Sequence, residues 1–363
     1  MTTIIDGTSG ISTPMYNGSI TANPVTPSVN MKNRCINGNM VIDQRNAGAS
    51  ATNLGTGTYY LDRWLGTGNV TSKFSVQQNA GSVTPPVGFS NYLGVTSLSS
   101  YSVSSSDVFL IRQAIEGFNT ADLAFGTANA KTVTLSFWVY SSLTGTFGGA
   151  LYNNGGSRSY PFTYTISSAN TWTQASVTIA GDTSGTWIGA TNGIGLYVSF
   201  NLGAGSTVSG TAGSWASGYY PSATGATSVV GTNGATFYIT GVQLEVGSTA
   251  SSFDYRPYGT ELALCQRYYT VVDSSTQYLG AYTFSTNRVL SSFSYPTTMR
   301  TVPTVTSGGT VYFFTNAGAF IASSAAFVPT KTGTCQLDLT VTATSGAAGV
   351  CALGTATYFS AEL

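Results

Sequence analysis

The residues able to do acid, base or nucleophilic chemistry are few. The 363-residue chain has no histidine, and 13 acidic residues against 13 basic ones, so a Ser-His-Asp triad, a Cys-His dyad and the common zinc sites are excluded. What remains is a carboxylate pair of the glycosidase kind. Glu116 and Asp122 lie close in sequence, and Glu245 sits on a strand beside an expected bulge. The structural reading of the same groups is that Glu116 pairs with Arg112, while Asp254, Arg256, Glu261 and Arg267 form an interdomain ion-pair cluster. We adopt it: no catalytic residue is assigned, and the chain is read as a non-enzyme. GDTSG at 181–185 reads as a turn, because a lone aspartate among hydroxyls is a poor calcium loop. No metal or cofactor is expected. Cys35, Cys265, Cys335 and Cys351 lack zinc-site spacing and are expected as buried free thiols; if Cys335 and Cys351 sit on two strands joined at 343–349, a register centred on that loop sets Cys335 near Thr357, away from Cys351.

Binding chemistry is better supplied. Sugars are held on flat aromatic faces ringed by amides and hydroxyls, and this chain is 12% aromatic and only 7% charged. Trp187, Trp215, Tyr219 and Tyr220 fall in or beside loops, which makes them the candidate carbohydrate-binding residues. The alternative is that they cover the sandwich or a subunit seam. In DRW at 62–64, Trp64 is expected to end a strand and pack in the core, with Asp62 and Arg63 tying it to a neighbour.

The elements that must position these groups are strands. Segments of 6–10 residues separated by Gly, Ser and Asn, such as SKFSVQQ, VTLSFWVYSS, YPFTYTI, TWTQASVTI and IGLYVSF, are the sequence form of an antiparallel sandwich. NRCINGNMVIDQR carries a turn at Asn37-Gly38 between apolar residues, and TYYLDRW reads as a strand. DVFLIRQAIEGFN is ambiguous between helix and strand and is assigned strand from its neighbours, with a turn of helix at 120–125. The loop 202–235 is unusually long and holds Trp215, Tyr219 and Tyr220; it is either a flap on the sandwich or a binding surface.

In TFYITGVQLEV the alternation changes phase at Gly241, which predicts a β-bulge. Pro257 and Gly259 then stop the chain, and Thr260 is the expected N-cap of a short helix through Tyr269 with Leu262, Cys265 and Tyr269 on one face. From Gln277 a second set of strands runs to the end. The domains are therefore an extended N-terminal anchor at 1–32, a jelly-roll domain at 33–258 and a smaller β-sandwich domain at 259–363, the last two linked by the helix. The fold class is all-β.

Zero net charge and the absence of a basic cluster remove the electrostatic footprint of nucleic-acid or anionic-membrane binding. No apolar run approaches the roughly 18 residues of a membrane-crossing helix, and MTTIIDGTSG is not the start of a signal peptide.

The order LSFWVYSS, TWTQASVTI, IGLYVSF, FYITGVQLEVG resembles the jelly roll of carbohydrate-binding modules. A wider set is similar to a family of phage and prophage virion proteins: NGNMVIDQRNAG, YYLDRW, IRQAIEGFNTADLAFGTA, LTGTFGGALYNNGGSRSYPFTYTI, GDTSGTW, GATSVVGTNGATFYITGVQLE and FDYRPYGTELALCQRYY, in that order across about 33–269. FSYPTTMRTVPTVT and the closing FSAEL are more loosely similar to the end domains of the same proteins. The resemblance implies a tail-fibre, receptor-binding or capsid-fibre component, a homotrimer, assembled in the host cytoplasm and located on the virion, its tail first. It further implies attachment to other virion proteins through residues 1–32 and recognition of a host cell-surface glycan. The alternatives are a capsid fibre or decoration protein with a structural role, and a polysaccharide depolymerase using Glu116 or Glu245.

Overall fold

The computed structural model describes residues 31–52, 55, 57–272, 278–307, 309–315, 318–322, 324–329, 331–341, 347–354 and 356–363, with two short strands, Ile4–Asp6 and Gly10–Ser12, paired antiparallel. Apart from those strands and residues 31–32, the expected anchor lies outside the described residues.

Among the described residues the chain is all-β with one short α-helix. Two sheets face each other across the larger core. One has seven strands in the order Ala216–Ser217, Arg158–Ile166, Gly145–Tyr152, Ile194–Ala204, Val108–Glu116, Trp64–Gly68, Thr58–Leu61; the other has six, in the order Thr173–Ile179, Val133–Ser141, Thr236–Val246, Leu93–Ser97, Phe74–Gln78, Ala51–Thr52. Successive segments cross repeatedly from one sheet to the other, which is jelly-roll connectivity. Strict alternation puts Phe109, Ile111, Ile115, Leu196, Val198 and Phe200 inward against Leu135, Phe137 and Val139 of the opposite sheet. By the same parity Arg112, Tyr152 and Tyr197 belong to the outer face of the seven-stranded sheet.

The 108–116 segment is a strand, as its neighbours implied, and two 3₁₀ turns follow, at Gly117–Asn119 and, where a turn of helix was expected, at Ala121–Leu123. The bulge is present as well: the register between Thr236–Val246 and Val133–Ser141 shifts between Thr240 and Gln243, and Gly241 has φ +61°. Two readings need correction. TYYLDRW is a hairpin, with Arg63 in the left-handed region at φ +70°, so Trp64 begins a strand instead of ending one. The 33–43 segment turns at Asn37-Gly38 but forms no strands. Its backbone instead docks beside the bulge, where Val242 N donates to Gly38 O at 2.9 Å and Arg34 N to Leu244 O at 2.8 Å.

The helix spans Tyr258–Gln266, one turn earlier than expected at its start: Pro257 occupies the cap position and its carbonyl accepts from Thr260 N and Glu261 N. Tyr269 opens the next strand, and it is Tyr268 that packs with Cys265, Ile36 and Ile42 in a small cluster at the junction. Beyond it a separate core, Val272 to Ala361, is enclosed by a seven-stranded sheet and a three-stranded one built from Tyr269–Val272, Thr357–Ser360 and Thr304–Ser307. In the seven-stranded sheet Thr334–Thr340 pairs with Arg288–Ser294, and Ala348–Leu353 with Tyr278–Ser285. The two cysteine-bearing strands are therefore not a hairpin, and the expected Cys335–Thr357 neighbourhood does not form. All four cysteines are buried free thiols.

Candidate functional site

The hairpin joining Gly145–Tyr152 to Arg158–Ile166 turns at Asn153, whose side chain organises it: Oδ1 accepts from Ser157 N and Arg158 N, both at 3.0 Å, and Nδ2 donates to Ser157 Oγ at 2.9 Å and Thr186 O at 3.0 Å. Beside this turn, on the outer sheet face, lies an open cleft of about 190 Å³ lined by Arg112, Tyr152, Asn153, Asn154, Tyr197 and Tyr219 with the glycines of the turn.

Cross-strand register makes the aromatic floor. Tyr152 is paired with Tyr197, and their rings stack at 4.8 Å and 23°. Tyr219, carried in by the long loop, meets Tyr152 edge-on at 5.4 Å. Its ring fits because residue 156 is glycine: at φ +61°, an added Cβ would lie 2.9 Å from the Tyr219 ring. Arg112 stacks its guanidinium over Tyr197 at 4.6 Å and donates Nη1 to the Tyr152 hydroxyl at 3.1 Å. Burial pushes the phenols of Tyr152, Tyr197 and Tyr219 up, so all three are neutral at physiological pH. Flat rings, the exposed Asn154 amide and a guanidinium around a cleft can stack on and hydrogen-bond a polyhydroxylated ring; the Asn153 amide is already spent on the turn.

Of the four aromatic residues expected from the sequence, only Tyr219 reaches this cleft. Trp187 and Trp215 interlock edge-to-face at 5.5 Å and both meet Phe125, at 5.0 and 5.7 Å. Their indole N–H groups are used within the protein, Trp215 on Ala180 O at 2.7 Å and Trp187 on Ser184 O at 3.2 Å. They seal the edge of the sandwich core, with a second, mainly apolar cavity of about 330 Å³ beside Trp187. Tyr220 packs over Gly210 and Gly218. The long loop is thus a flap over the sandwich: Ala216–Ser217 extends the seven-stranded sheet, and Val229 and Val230 are fully buried.

The expected ion-pair cluster divides in two. Arg256 and Glu261, both buried, bridge at 3.2 Å and hold the 33–37 segment: Arg256 donates to Asn33 O and Cys35 O, Asn37 N donates to Glu261, and Asn33 N donates to Asp254 at 3.2 Å. Arg267 is not part of that group. It reaches Glu116 at 2.6 and 3.0 Å, with Tyr268 donating to the same carboxylate at 2.6 Å. The expected Glu116–Arg112 pair is absent, since Arg112 turns toward the cleft. Glu245 accepts from Gln243, Ser251 N and Ser251 Oγ and so shapes the 247–252 loop. Asp182 is locked by Arg158 through two bonds of 2.7 Å in the expected turn. Among the described residues no group of three His, Cys, Asp or Glu could hold a metal ion, and no helix is long and apolar enough to cross a membrane.

Tyr152, Asn153, Asn154 and Tyr197 were not singled out from the sequence, and Arg112 was named only as a partner for Glu116. Their signal was available in part: Tyr197 stands between inward Leu196 and Val198, and Arg112 between Ile111 and Gln113, so parity alone turns both outward.

No protein-family model and no curated protein matches the chain. Among solved structures it is similar to the enzymatically active domain of bacteriophage CBA120 tailspike protein 4, at 12% identity and TM-score 0.32 over 51% of this chain and 20% of that one. It is also similar to the family 11 carbohydrate-binding module from Clostridium thermocellum in complex with a β-1,3-1,4-mixed-linked tetrasaccharide, at 12% and 0.28 over 56% and 98%. A third is TmCBM61 in complex with β-1,4-galactotriose, at 10% and 0.26 over 51% and 88%. These are distant likenesses of β-sandwich architecture, and the chain spans one fifth of the tailspike domain.

Proposed function

We propose that this chain is a glycan-binding structural protein of a phage particle, of the tail-fibre or receptor-binding kind, whose jelly roll holds a host surface glycan in the Arg112–Tyr152–Tyr197–Tyr219 cleft. The cleft carries the reading: the Tyr197 and Tyr219 rings, the exposed Asn154 and a guanidinium, backed by the buried Tyr152, line a surface-accessible hollow in a chain with little other charge. Placement on a virion, and on its tail, is supported by the resemblance of the ordered motifs across about 33–269. A non-catalytic role is supported by the fates of Glu116 and Glu245, each bound by partners within the fold.

A homotrimer fits the seven-stranded sheet of the smaller core. Its edge strands Gly318–Ile321 and Ser324–Val328 carry no charge, and Ile321 and Val328 are exposed on them. Three copies would also multiply a weak sugar contact into avidity.

The test is binding of the purified protein to host cells and to their extracted surface polysaccharide, beside Tyr197→Ala. Saturable binding lost in the variant supports the reading. Wild-type protein that binds neither, together with immunogold label over the head of the particle, would replace it with capsid decoration.

A further inference from the structure

Arg112 is set apart from every other arginine. Arg34, Arg45, Arg63, Arg158, Arg256, Arg267 and Arg288 each pair with a carboxylate, and Arg300 donates to the carbonyls of Asn192, Ala361 and Glu362. Arg112 has neither. Among the described residues its one hydrogen bond is to a phenol; its Nε is buried without an acceptor, as are those of Arg34, Arg45, Arg63 and Arg256. The groups nearest to it in the cleft, Tyr152, Tyr197 and Tyr219, are phenols that burial keeps neutral at physiological pH. It is thus a half-buried cation held by ring stacking, with hydrogen-bonding capacity left over and no carboxylate partner among the described residues.

We propose that the cleft selects an acidic glycan, one whose sugar carboxylate pairs with Arg112 while the ring face lies on the Tyr197–Tyr219 side. This deepens the glycan reading and rests on it. A carboxylate fits better than a phosphate ester, because it is planar and singly charged like the guanidinium, and the cleft offers a single cation. A hydroxyl of a neutral sugar would meet the guanidinium without neutralising it. Losing that charge-assisted contact costs at least about tenfold in affinity.

The experiment compares matched saccharides by calorimetry: sialyllactose with lactose, and oligogalacturonate with galacto-oligosaccharide, on the whole chain. The expected result is at least about tenfold tighter binding of the acidic member of a pair, weakening with added salt. Arg112→Gln should bring the acidic member down to the neutral one, and Arg112→Lys should recover only part, the planar stack being lost. Tyr197→Ala should weaken both members. Equal binding of acidic and neutral saccharides, or an equal loss of both in Arg112→Gln with unchanged thermal stability, overturns the acidic selectivity and leaves glycan binding standing. No binding of any saccharide overturns both.

Discussion

Arg63 and Glu362 form an ion pair across the junction between the two cores, and the Tyr268 ring closes over the guanidinium at 3.6 Å. Arg63 is 1% exposed, and Arg45 reaches the same carboxylate at 2.5 Å. The guanidinium also donates to Ala114 O, which ties the hairpin turn, the outer sheet face and the last strand's end to one point. This pair holds the halves together more directly than the cluster around Arg256. Glu362→Ala leaves Arg63 buried without its counter-charge, and the expected loss is about 3–5 kcal/mol in urea unfolding. A loss below about 1 kcal/mol would show that the junction is ordered by something else.

Asp62 adjoins this network and makes it pH-sensitive. Burial pushes its carboxyl from 3.8 up to about 6, against the pull of Arg45 and two hydrogen bonds from Gln44. A folded value above the unfolded one means that the stability linked to the proton is complete below pH 3.8 and is lost as pH rises through about 6. The full swing is about 3 kcal/mol. Glu116 has the opposite sign: burial works to raise it, but Arg267 and Tyr268 outweigh burial and hold it below the usual range, so its contribution is lost only as pH falls. In Asp62→Asn the decline of unfolding free energy between about pH 4 and 7 should flatten; an unchanged slope would assign it to another group.

The sheets were legible because each strand writes its own alternation. The opposite parities of Phe237–Ile239 and Val242–Leu244 located the Gly241 bulge without any knowledge of the partner strand. The 33–43 segment misled for the converse reason. Several of its polar groups are satisfied from more than 200 positions away, as where Asn33 Nδ2 donates to Val242 O and Arg34 N to Leu244 O, and local pattern holds no record of such a partner. The cleft was half legible for the same reason: Tyr219 showed as an aromatic residue in a glycine-rich loop, but the pairing of Tyr152 with Tyr197 is a matter of register.

Gly38 marks where that distant segment closes on the bulge. A Cβ at this position would sit 2.1 Å from Val242 O, a backbone atom that cannot swing aside. Gly38→Ala is therefore expected to cost about 1–3 kcal/mol and to lift the segment from the strand. Hydrogen exchange should then quicken at Val242 and Leu244, whose amides donate to Gly38 O and Asn33 Oδ1. Unchanged protection at both would mean that the segment does not depend on this contact.

Trp215 and Tyr197 separate packing from binding. Trp215 touches Phe125, Tyr160 and Trp187 within 5.7 Å and is half-buried, so Trp215→Ala removes ring contacts from the edge of the core. The expected loss is about 2–4 kcal/mol, near the lower end for a buried aromatic, with saccharide affinity unchanged in the fraction that stays folded. Tyr197→Ala acts on the open face and should reverse the pattern, costing little stability and most of the binding. Thermal unfolding and saccharide titration on both variants decide it. A Trp215→Ala protein that is stable but no longer binds would move the site to the flap edge and its neighbouring cavity.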